Sequence, residues 1–197
     1  MADPFRVAVL ASGGGSNLQA LLDACGAGSP ARIVLVLSNN PKAGALTRAE
    51  RAGVPYAVIP DPADGAVLTR RLTDAHADLV VLAGYLKLVP AETVAAFEGR
   101  MINVHPGLLP AFGGPGMYGA RVHRAVLESG ATESGATVHL VSAEYDRGET
   151  IAQRRVPVLP GDTPDTLAVR VLAVEHQLLP EVVLAAAVAR KVAPLPK

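Results

Sequence analysis

The chain has 197 residues, of which 18 are basic and 18 acidic, so its formal net charge is zero. This balance, with no long run of either sign, argues against a nucleic-acid surface, which needs a basic excess or stripe. The single cysteine, Cys25, excludes an internal disulfide, and a chain of this length buries about 70% of its unfolded surface without needing a covalent or metal staple.

Short apolar runs alternate with segments of helical apolar spacing along the first hundred residues. The runs have the length of buried strands, and repeated strand–helix alternation indicates right-handed crossovers and a mainly parallel sheet with helices on both faces. The predicted elements, in chain order, are strand Arg6–Leu10, helix Leu18–Ala24, strand Arg32–Leu37, helix Ala43–Ala52, strand Tyr56–Ile59, helix Val67–Ala77, strand Leu79–Leu82, a helix from Ala91 and strand Met101–His105.

The pattern changes after the fifth strand. A loop rich in glycine and proline, Pro106–Gly116, and a helix, Arg121–Glu128, are followed by two strands, Ala136–Val141 and Ile151–Val158. Because the turn Tyr145–Gly148 lies between these strands, the sequence predicts an antiparallel hairpin.

A long closing helix is predicted to begin near Thr163–Asp165 and to run to about Arg190. Thr163 supplies an N-cap, and Pro164 suits the first helical position. No internal repeat or linker is evident, so we expect one domain over residues 1–197. Its class is α/β, with a mainly parallel open sheet flanked by helices, a C-terminal antiparallel hairpin and the closing helix.

The cellular location is predicted from two sequence features. The N-terminal segment Met1–Arg6 lacks a basic stretch followed by an apolar one, which a secretory signal would show. The apolar runs Leu79–Ala83 and Val182–Ala189 are far shorter than the ~20 residues needed to cross a bilayer. We therefore expect a cytoplasmic protein without a membrane partner.

A glycine-rich loop, Ala11–Asn17, joins the first strand to the first helix. Backbone N–H groups in such a turn, together with a helix N-terminus, form an anion site without a basic side chain, and Ser16 and Asn17 add donors and potential helix caps. A dinucleotide site fits poorly because Leu18 replaces the third glycine, and no Gly-Lys-Ser/Thr follows for a mononucleotide loop. The alternatives left are a site for one phosphate, which we favour, and a tight turn without a ligand.

Asn103 and His105 lie at the end of the fifth predicted strand. The strand period of two places both side chains on one face, and Pro106 stops the strand just after His105. Ligands of open α/β sheets bind at this carboxyl edge. An amide donor beside a group that titrates near neutral pH suits a reaction that develops an oxyanion and moves a proton. The alternative is a structural pair, a hydrogen-bonded histidine and a turn asparagine.

The remaining histidines are interpreted as structural residues. His76 is expected to end a helix, His123 to lie on a helix and His139 to lie in a hairpin strand. Neither they nor Cys25 show the close spacing of metal ligands, so we expect no metal site.

Several strings of this sequence resemble those of the glycinamide ribonucleotide formyltransferases, from about residue 6 to residue 190. Asn-x-His-Pro-x-Leu-Leu-Pro is typical of folate-dependent formyltransferases generally, and the glycine-loop opening narrows the resemblance to this family. The segment Gly113–Arg121 departs from the simplest family pattern by being longer than in some members. The strings are Ser12–Leu21, Ser38–Asn40, Ile102–Phe112, Gly135–Val141, Tyr145–Gly148 and Glu175–His176.

The resemblance implies roles for individual residues. It makes Asn103, His105 and Asp146 the catalytic trio and Glu175 an acid that contacts the glycinamide part of the acceptor. It also implies a phosphate-binding half of about residues 1–100 and a folate-binding, catalytic half of about residues 101–197. The implied phosphate loop consists of Gly15, Ser16 and Asn17, and the implied folate-binding walls consist of Tyr85, Leu86, Lys87, Leu88, Val89 and Tyr145.

The implied activity is formyl transfer from 10-formyltetrahydrofolate to the amine of glycinamide ribonucleotide, a step of purine biosynthesis and one-carbon metabolism. The partners are these two small molecules, with no nucleic acid, membrane or metal, and the oligomeric state stays open. The first alternative is a formyltetrahydrofolate deformylase, whose extra N-terminal domain is not expected here because the first strand starts at Arg6. A methionyl-tRNA formyltransferase would carry a further C-terminal domain and a basic face. A non-catalytic nucleotide-binding protein of the same fold is the last alternative.

Overall fold

The protein is a three-layer α/β structure, as seen in a computed structural model that describes residues 3–195. Its helices and strands, in chain order, are β1 (Phe5–Leu10), α1 (Ser16–Ala24), β2 (Ala31–Ser38), α2 (Gly44–Arg51), β3 (Tyr56–Val58), α3 (Gly65–Asp74), β4 (Leu79–Leu82), α4 (Ala91–Ala96), β5 (Met101–His105), α5 (Ala120–Glu128), β6 (Glu133–Leu140), β7 (Thr150–Pro157) and α6 (Pro164–Ala189).

One sheet contains all seven strands, in the order β3-β2-β1-β4-β5-β6-β7. Pairing is parallel from β3 to β5 and antiparallel where β6 joins β5 and β7 joins β6. The chain turns back across the sheet between β1 and β4, which makes this neighbouring pair the topological switch point. The predicted fold class, including the C-terminal hairpin, is therefore confirmed.

The two faces of the sheet carry separate apolar layers. Along β1, Val7 and Val9 belong to one layer, whereas Ala8 and Leu10 belong to the other, as the strand period of two requires. Apolar residues of α1, α2, α5 and α6 pack in the first layer, and those of α3 and α4 pack in the second. The central strands are buried on both faces, which explains their continuous apolar sequence.

Two helix ends show how closely local sequence sets the boundaries. Helix α6 begins as predicted, with a reciprocal capping box between Thr163 and Thr166. The predicted third helix is too long at its C-terminus, because α3 ends at Asp74 rather than at residue 77. His76 adopts a left-handed conformation (φ 51°) and the N–H of Ala77 bonds to the carbonyl of Leu72, which is a Schellman-type termination.

Helix α6 has the length and apolar composition of a membrane-spanning helix, but its position is that of a core helix. Leu167, Val171 and Val183 are completely buried, and the helix packs against β6, β7, α1 and α5. On its outer side Glu181 forms an ion pair with Arg154 of β7. Its apolar face therefore stabilises the domain.

Candidate active site

A cavity of about 410 Å³ lies at the carboxyl edge of the sheet, beside the β1–β4 switch point. Residues that follow β4 and β5, the start of α6, the segment before α5 and the β6–β7 connection all contribute to its wall. The predicted site residues that line it are Asn17, Tyr85, Leu86, Asn103, His105, Tyr145, Asp146 and Glu175. The sheet edge expected from the strand pattern is thus the edge that carries the cavity.

Asn103 lines this cavity and has a hydrogen-bonded neighbour, His139, that was expected to be a structural residue of the hairpin. The antiparallel register pairs Asn103 of β5 with His139 of β6, and the Asn103 amide nitrogen Nδ2 lies 3.1 Å from His139 Nε2. His139 Nδ1 lies 2.7 Å from the carbonyl oxygen of Leu140. The β5–β6 register, which brings His139 to the site, leaves no signature in the local sequence.

His105 is buried, with only 3% of its surface exposed. Its Nε2 lies 2.6 Å from the carbonyl oxygen of Phe112, and since that oxygen only accepts, Nε2 must carry a proton. The other ring nitrogen, Nδ1, faces Asp146 Oδ2 at 3.6 Å, which is too long for a direct hydrogen bond. Burial lowers the pKa of His105, and the Asp146 carboxylate and the Phe112 carbonyl oppose that effect without cancelling it.

Asp146 belongs to the β6–β7 connection, in a left-handed conformation with φ 56°. Its Oδ2 accepts a hydrogen bond of 2.9 Å from the N–H of Gly114, and its Oδ1 lies 3.5 Å from His139 Nε2. Burial raises the pKa of Asp146, but His139, His105 and the Gly114 N–H outweigh burial and hold that pKa below its usual value. The site therefore keeps a carboxylate charge beside two imidazole rings.

The loop before α5 is packed against this carboxylate. A Cβ atom at Gly113 would lie 3.0 Å from the Cβ of Asp146 and would overlap the side chain of Leu109. A side chain at residue 113 would have to displace Leu109 and press against Asp146, so the close approach of the two segments favours glycine there. The unusual length of this loop is visible in the sequence, but its contact with Asp146 is not.

The glycine loop leads directly into the first turn of α1. Gly15 has a left-handed backbone (φ 75°), and a Cβ there would lie 2.7 Å from the Cα of Ala45, so the turn requires glycine. Within residues 3–195 no side chain caps this helix, so the caps expected from Ser16 and Asn17 are wrong. The first N–H groups of a helix have no intrahelical acceptor and point outward from its N-terminus. Neither Gly15 nor Ser16 lines the large cavity.

Arg48 of α2 stiffens the same loop, which the sequence analysis did not anticipate. Its Nε donates to the carbonyl oxygen of Gly14 at 2.8 Å, and its Nη1 donates to Gln19 Oε1 at 3.0 Å. The guanidinium therefore places a fixed positive charge beside the loop that was predicted to hold a phosphate. The position of Arg48 in the predicted helix does not by itself indicate this contact with the glycine loop.

Asn17 and Glu175 form a buried pair between α1 and α6. Asn17 Nδ2 donates to Glu175 Oε2 at 2.7 Å, and the N-cap position of α1 is occupied by Gly15 rather than by Asn17. Burial raises the pKa of Glu175 to about 7, although the bond from Asn17 lowers it. Asn17 Oδ1 is buried without a hydrogen-bond partner among residues 3–195. The pair thus offers a ligand one free acceptor and one carboxyl group.

This pKa predicts a pH-dependent stability. Between its usual value of 4.5 and about 7, Glu175 holds more protons in the folded state than in the unfolded chain, so stability falls as pH rises through this window. Relative to Glu175→Gln, the wild type is expected to lose on the order of 3 kcal/mol of unfolding free energy from pH ~4 to pH ~8. Urea denaturation across pH measures this.

Glu128→Gln is the matched control for that experiment, because it removes an exposed carboxylate from α5. We expect it to keep the wild-type dependence of stability on pH. If Glu175→Gln also followed the wild-type profile, the carboxyl group of Glu175 would not be perturbed by burial.

The predicted folate-binding walls lie around two connected depressions. Lys87, Leu88 and Val89 line a smaller pocket of about 50 Å³, which shares Tyr85, Asn103, Tyr145 and Asp146 with other site walls. Leu86, Leu88 and Tyr145 are 52%, 47% and 41% exposed, an unusual exposure for large apolar side chains grouped at a cleft. Ser12 holds this wall to the glycine loop, because its Oγ accepts from the Leu86 N–H at 2.9 Å.

His123 of α5 is a second histidine that the sequence analysis treated as structural and that lines the large cavity. It is 4% exposed, and its Nδ1 is buried without a hydrogen-bond partner in the described part of the chain. Burial, and then the proximity of His105, lowers the pKa of His123. Helical periodicity alone gave no sign that this face of α5 borders the site. Among residues 3–195, no group of histidine, cysteine, aspartate and glutamate side chains is arranged to hold a metal ion.

Comparison with known proteins identifies the family. The formyl transferase family model matches residues 5–183. The chain belongs to the formyl transferase family. Residues 5–183 include β1, the glycine loop, the trio and Glu175, so every part of the site lies within the family region. The resemblance inferred from the Asn-x-His-Pro string is thereby confirmed.

Individual relatives agree with this family. The chain is 48% identical over 186 residues to a chloroplastic phosphoribosylglycinamide formyltransferase of Arabidopsis thaliana, covering 90% of this chain and 64% of that protein. It spans 59% of a chloroplastic relative from Vigna unguiculata and 85% of a 37% identical phosphoribosylglycinamide formyltransferase of Haemophilus influenzae, which covers 90% of this chain. The crystal structure of glycinamide ribonucleotide transformylase 1 from Symbiobacterium toebii superimposes with a TM-score of 0.89 and 42% identity, covering 98% of this chain and 95% of that one.

Proposed function

We propose that this protein transfers the formyl group of 10-formyltetrahydrofolate to the amine of glycinamide ribonucleotide, a reaction of purine biosynthesis. The observation that carries the proposal is the convergence of Asn103, His105 and Asp146 on one cavity of about 410 Å³. An amide donor, an imidazole and a carboxylate are the groups that a transfer through an oxyanion requires. The family membership and the names of the relatives support the same reaction.

The acceptor is proposed to lie between the glycine loop and Glu175. Its phosphate would bind the N–H groups of Gly15, Ser16 and Asn17 at the N-terminus of α1, with Arg48 adding positive charge. The buried Asn17–Glu175 pair supplies polar groups deeper in the cavity. Glu175 would then contact the glycinamide part, with the amine directed toward Asn103.

The formyl donor is proposed to lie along the wall formed by residues 85–89 and Tyr145. Exposed apolar side chains on both sides of a narrow cleft suit a flat heteroaromatic ring, and the segment after β4 offers backbone groups for its polar edge. The cleft shares Asn103 and Asp146 with the trio. A donor bound there would place its formyl group beside Asn103 and His105.

The proposed mechanism begins with attack of the neutral amine on the formyl carbon, which forms a C–N bond and turns the carbonyl into an oxyanion. Asn103 donates an N–H to this oxygen. His105, whose Nε2–H is held by Phe112, carries its additional proton on Nδ1 and adds positive charge beside the oxyanion. These interactions are stronger with the oxyanion than with the initial carbonyl, so they accelerate the reaction.

Asp146 completes the proposed proton transfer. Its carboxylate lies 3.6 Å from His105 Nδ1, where it stabilises the imidazolium and accepts the proton of the attacking amine, directly or through water. That proton passes to the folate nitrogen as the bond between this nitrogen and the formyl carbon breaks. The amine proton thus ends on the folate nitrogen, and the proposed reaction needs neither a metal nor a covalent enzyme intermediate.

The proposed phosphate contacts predict a strong preference for the phosphorylated acceptor. Several charge-assisted bonds of about 1.5–3 kcal/mol each should make an acceptor without its phosphate bind about 100-fold more weakly, or worse. Gly15→Ala should remove this preference, because its methyl group collides with Ala45. Isothermal titration with both acceptors measures the effect, and equal affinities for them in the wild type would contradict the phosphate assignment.

The activity itself is tested by following the absorbance of the folate during turnover. We expect product folate only when the formylated donor and the phosphorylated acceptor are both present. Release of formate without acceptor would instead indicate a deformylase. No change with both substrates, despite measurable binding of the acceptor, would indicate a nucleotide-binding protein without this activity.

The location and the domain organisation are part of the same proposal. We place the protein in the cytoplasm, a reducing compartment in which the buried thiol of Cys25 stays free. The 197 residues would act as one domain, with a phosphate-binding half of about residues 1–100 and a catalytic half of about residues 101–197.

A further inference from the structure

We infer that His139 is a positioning residue, which fixes the amide of Asn103 in the orientation that donates to the oxyanion. The kinetic consequences of this inference rest on the proposed function. His139 is 2% exposed and lies directly across from Asn103 in the β5–β6 register. It lies within 3.5 Å of both Asn103 and Asp146 and also lines the smaller pocket, but it is not one of the trio.

The hydrogen bonds of His139 define which of its ring nitrogens carries the proton. Nδ1 lies 2.7 Å from the carbonyl oxygen of Leu140, and that oxygen only accepts, so Nδ1 is protonated. In a neutral ring Nε2 is then an acceptor. The nitrogen at 3.1 Å from it, Asn103 Nδ2, donates to it. The Leu140 carbonyl therefore sets the tautomer of the histidine, and the tautomer selects the amide nitrogen of Asn103.

This selection matters because an asparagine amide has two nearly identical orientations. Without a partner, a half-turn of the Asn103 amide exchanges the oxygen and the nitrogen at little cost. In the turned orientation its oxygen, an acceptor, takes the place of the donor and repels the developing oxyanion. With Nδ2 bound to His139, one of its two N–H groups is used and the second remains for the oxyanion.

Asp146 gives His139 a second contact within the site. Asp146 Oδ1 lies 3.5 Å from the same His139 Nε2, which is longer than a direct hydrogen bond. Asp146 Oδ2 is meanwhile held by the Gly114 N–H at 2.9 Å. The imidazole thus lies beside both the oxyanion donor and the carboxylate.

The kinetic test compares His139→Leu with His139→Gln. Leucine has no acceptor, so kcat is expected to fall about 10–100-fold while the KM of both substrates changes less than about threefold. A glutamine oxygen accepts from Asn103. If His139→Leu lowers kcat by about a hundredfold, the kcat of His139→Gln is therefore expected to be at least about tenfold higher than that of His139→Leu. Val138→Ala is the matched control, because Val138 lies on the same strand with its side chain on the opposite face.

Val138→Ala is expected to lower the melting temperature while kcat stays within about twofold of the wild type. If it lowered kcat as much as His139→Leu does, the effect of His139 would be one of general stability. A wild-type kcat in His139→Leu, or no recovery in His139→Gln, would overturn the inference.

A further variant shows whether His139 acts through Asn103. In the Asn103→Ala background, His139→Leu is expected to change kcat less than about threefold, because the amide that it orients is already gone. A second loss of tenfold or more in that background would contradict the inference.

A measurement that needs no turnover separates this inference from the proposed function. ¹⁵N-resolved NMR of the ligand-free wild type is expected to show the ring proton of His139 on Nδ1 and not on Nε2. It is also expected to show the Asn103 side-chain N–H₂ signals slowed in exchange relative to His139→Leu. Protonation at Nε2 would overturn the inference even if formyl transfer were observed. The expected tautomer without any formyl transfer would instead place the error in the proposed function.

Discussion

Replacing Asn103 with alanine is expected to lower kcat by about 10²–10³-fold, with the KM of both substrates changing less than about threefold. The reason is that its N–H interacts weakly with a neutral carbonyl and strongly with the oxyanion that follows. The substitution removes this donor from a strand that keeps its backbone pairing with β4 and β6. Steady-state kinetics with each substrate varied in turn measures the effect.

A separate measurement of substrate affinity shows whether Asn103→Ala affects catalysis or binding. Substrate affinity measured by titration should stay near that of the wild type, because the proposed binding contacts belong to Asn17, Glu175 and the wall after β4. A rise in acceptor KM equal to the fall in kcat/KM would show that Asn103 binds substrate rather than the transition state.

His105 and Asp146 are expected to behave as one unit. Each single variant, His105→Ala and Asp146→Asn, should lower kcat by about 10²–10⁴-fold, the usual contribution of a positioned acid–base group. Asp146→Asn also removes a charge that raises the pKa of His105, so the imidazole of that variant is protonated less often at neutral pH. The double variant should therefore be little worse than the poorer single variant.

A matched cycle with His105→Ala and Asp74→Asn provides the control. Asp74 is exposed at the end of α3 and lines neither cavity of the site, so its effect should be small and additive. Additive losses for His105 and Asp146 themselves would mean that a different acid acts with this histidine.

The strand and helix pattern of this chain could be predicted because local sequence determines it. Continuous apolar runs specified the buried parallel strands, and Thr163 with Pro164 specified the start of α6. The C-terminus of α3 could not be predicted, because His76 adopts a left-handed conformation that sequence favours mainly for glycine and asparagine.

The residues of the candidate site likewise include some that the local sequence could predict and others that it could not. Asn103 and His105 followed from the strand period and the carboxyl edge, whereas Asp146 came only from the resemblance. His139 lies 36 residues from Asn103 in the chain, and only the register of an antiparallel pair brings them together. The Asn17–Glu175 bond spans 158 residues, so no local pattern could have shown that Asn17 binds a buried acid.

The most direct test of the central claim is the fate of an isotope-labelled formyl group. The purified protein is incubated with 10-[¹³C]formyltetrahydrofolate and glycinamide ribonucleotide, and the products are separated and analysed by mass spectrometry. We predict that the label appears on the amine of the ribonucleotide, that the yield equals the tetrahydrofolate formed, and that Asn103→Ala slows both equally. Label recovered as formate, with the ribonucleotide unchanged, would contradict the proposed formyl transfer.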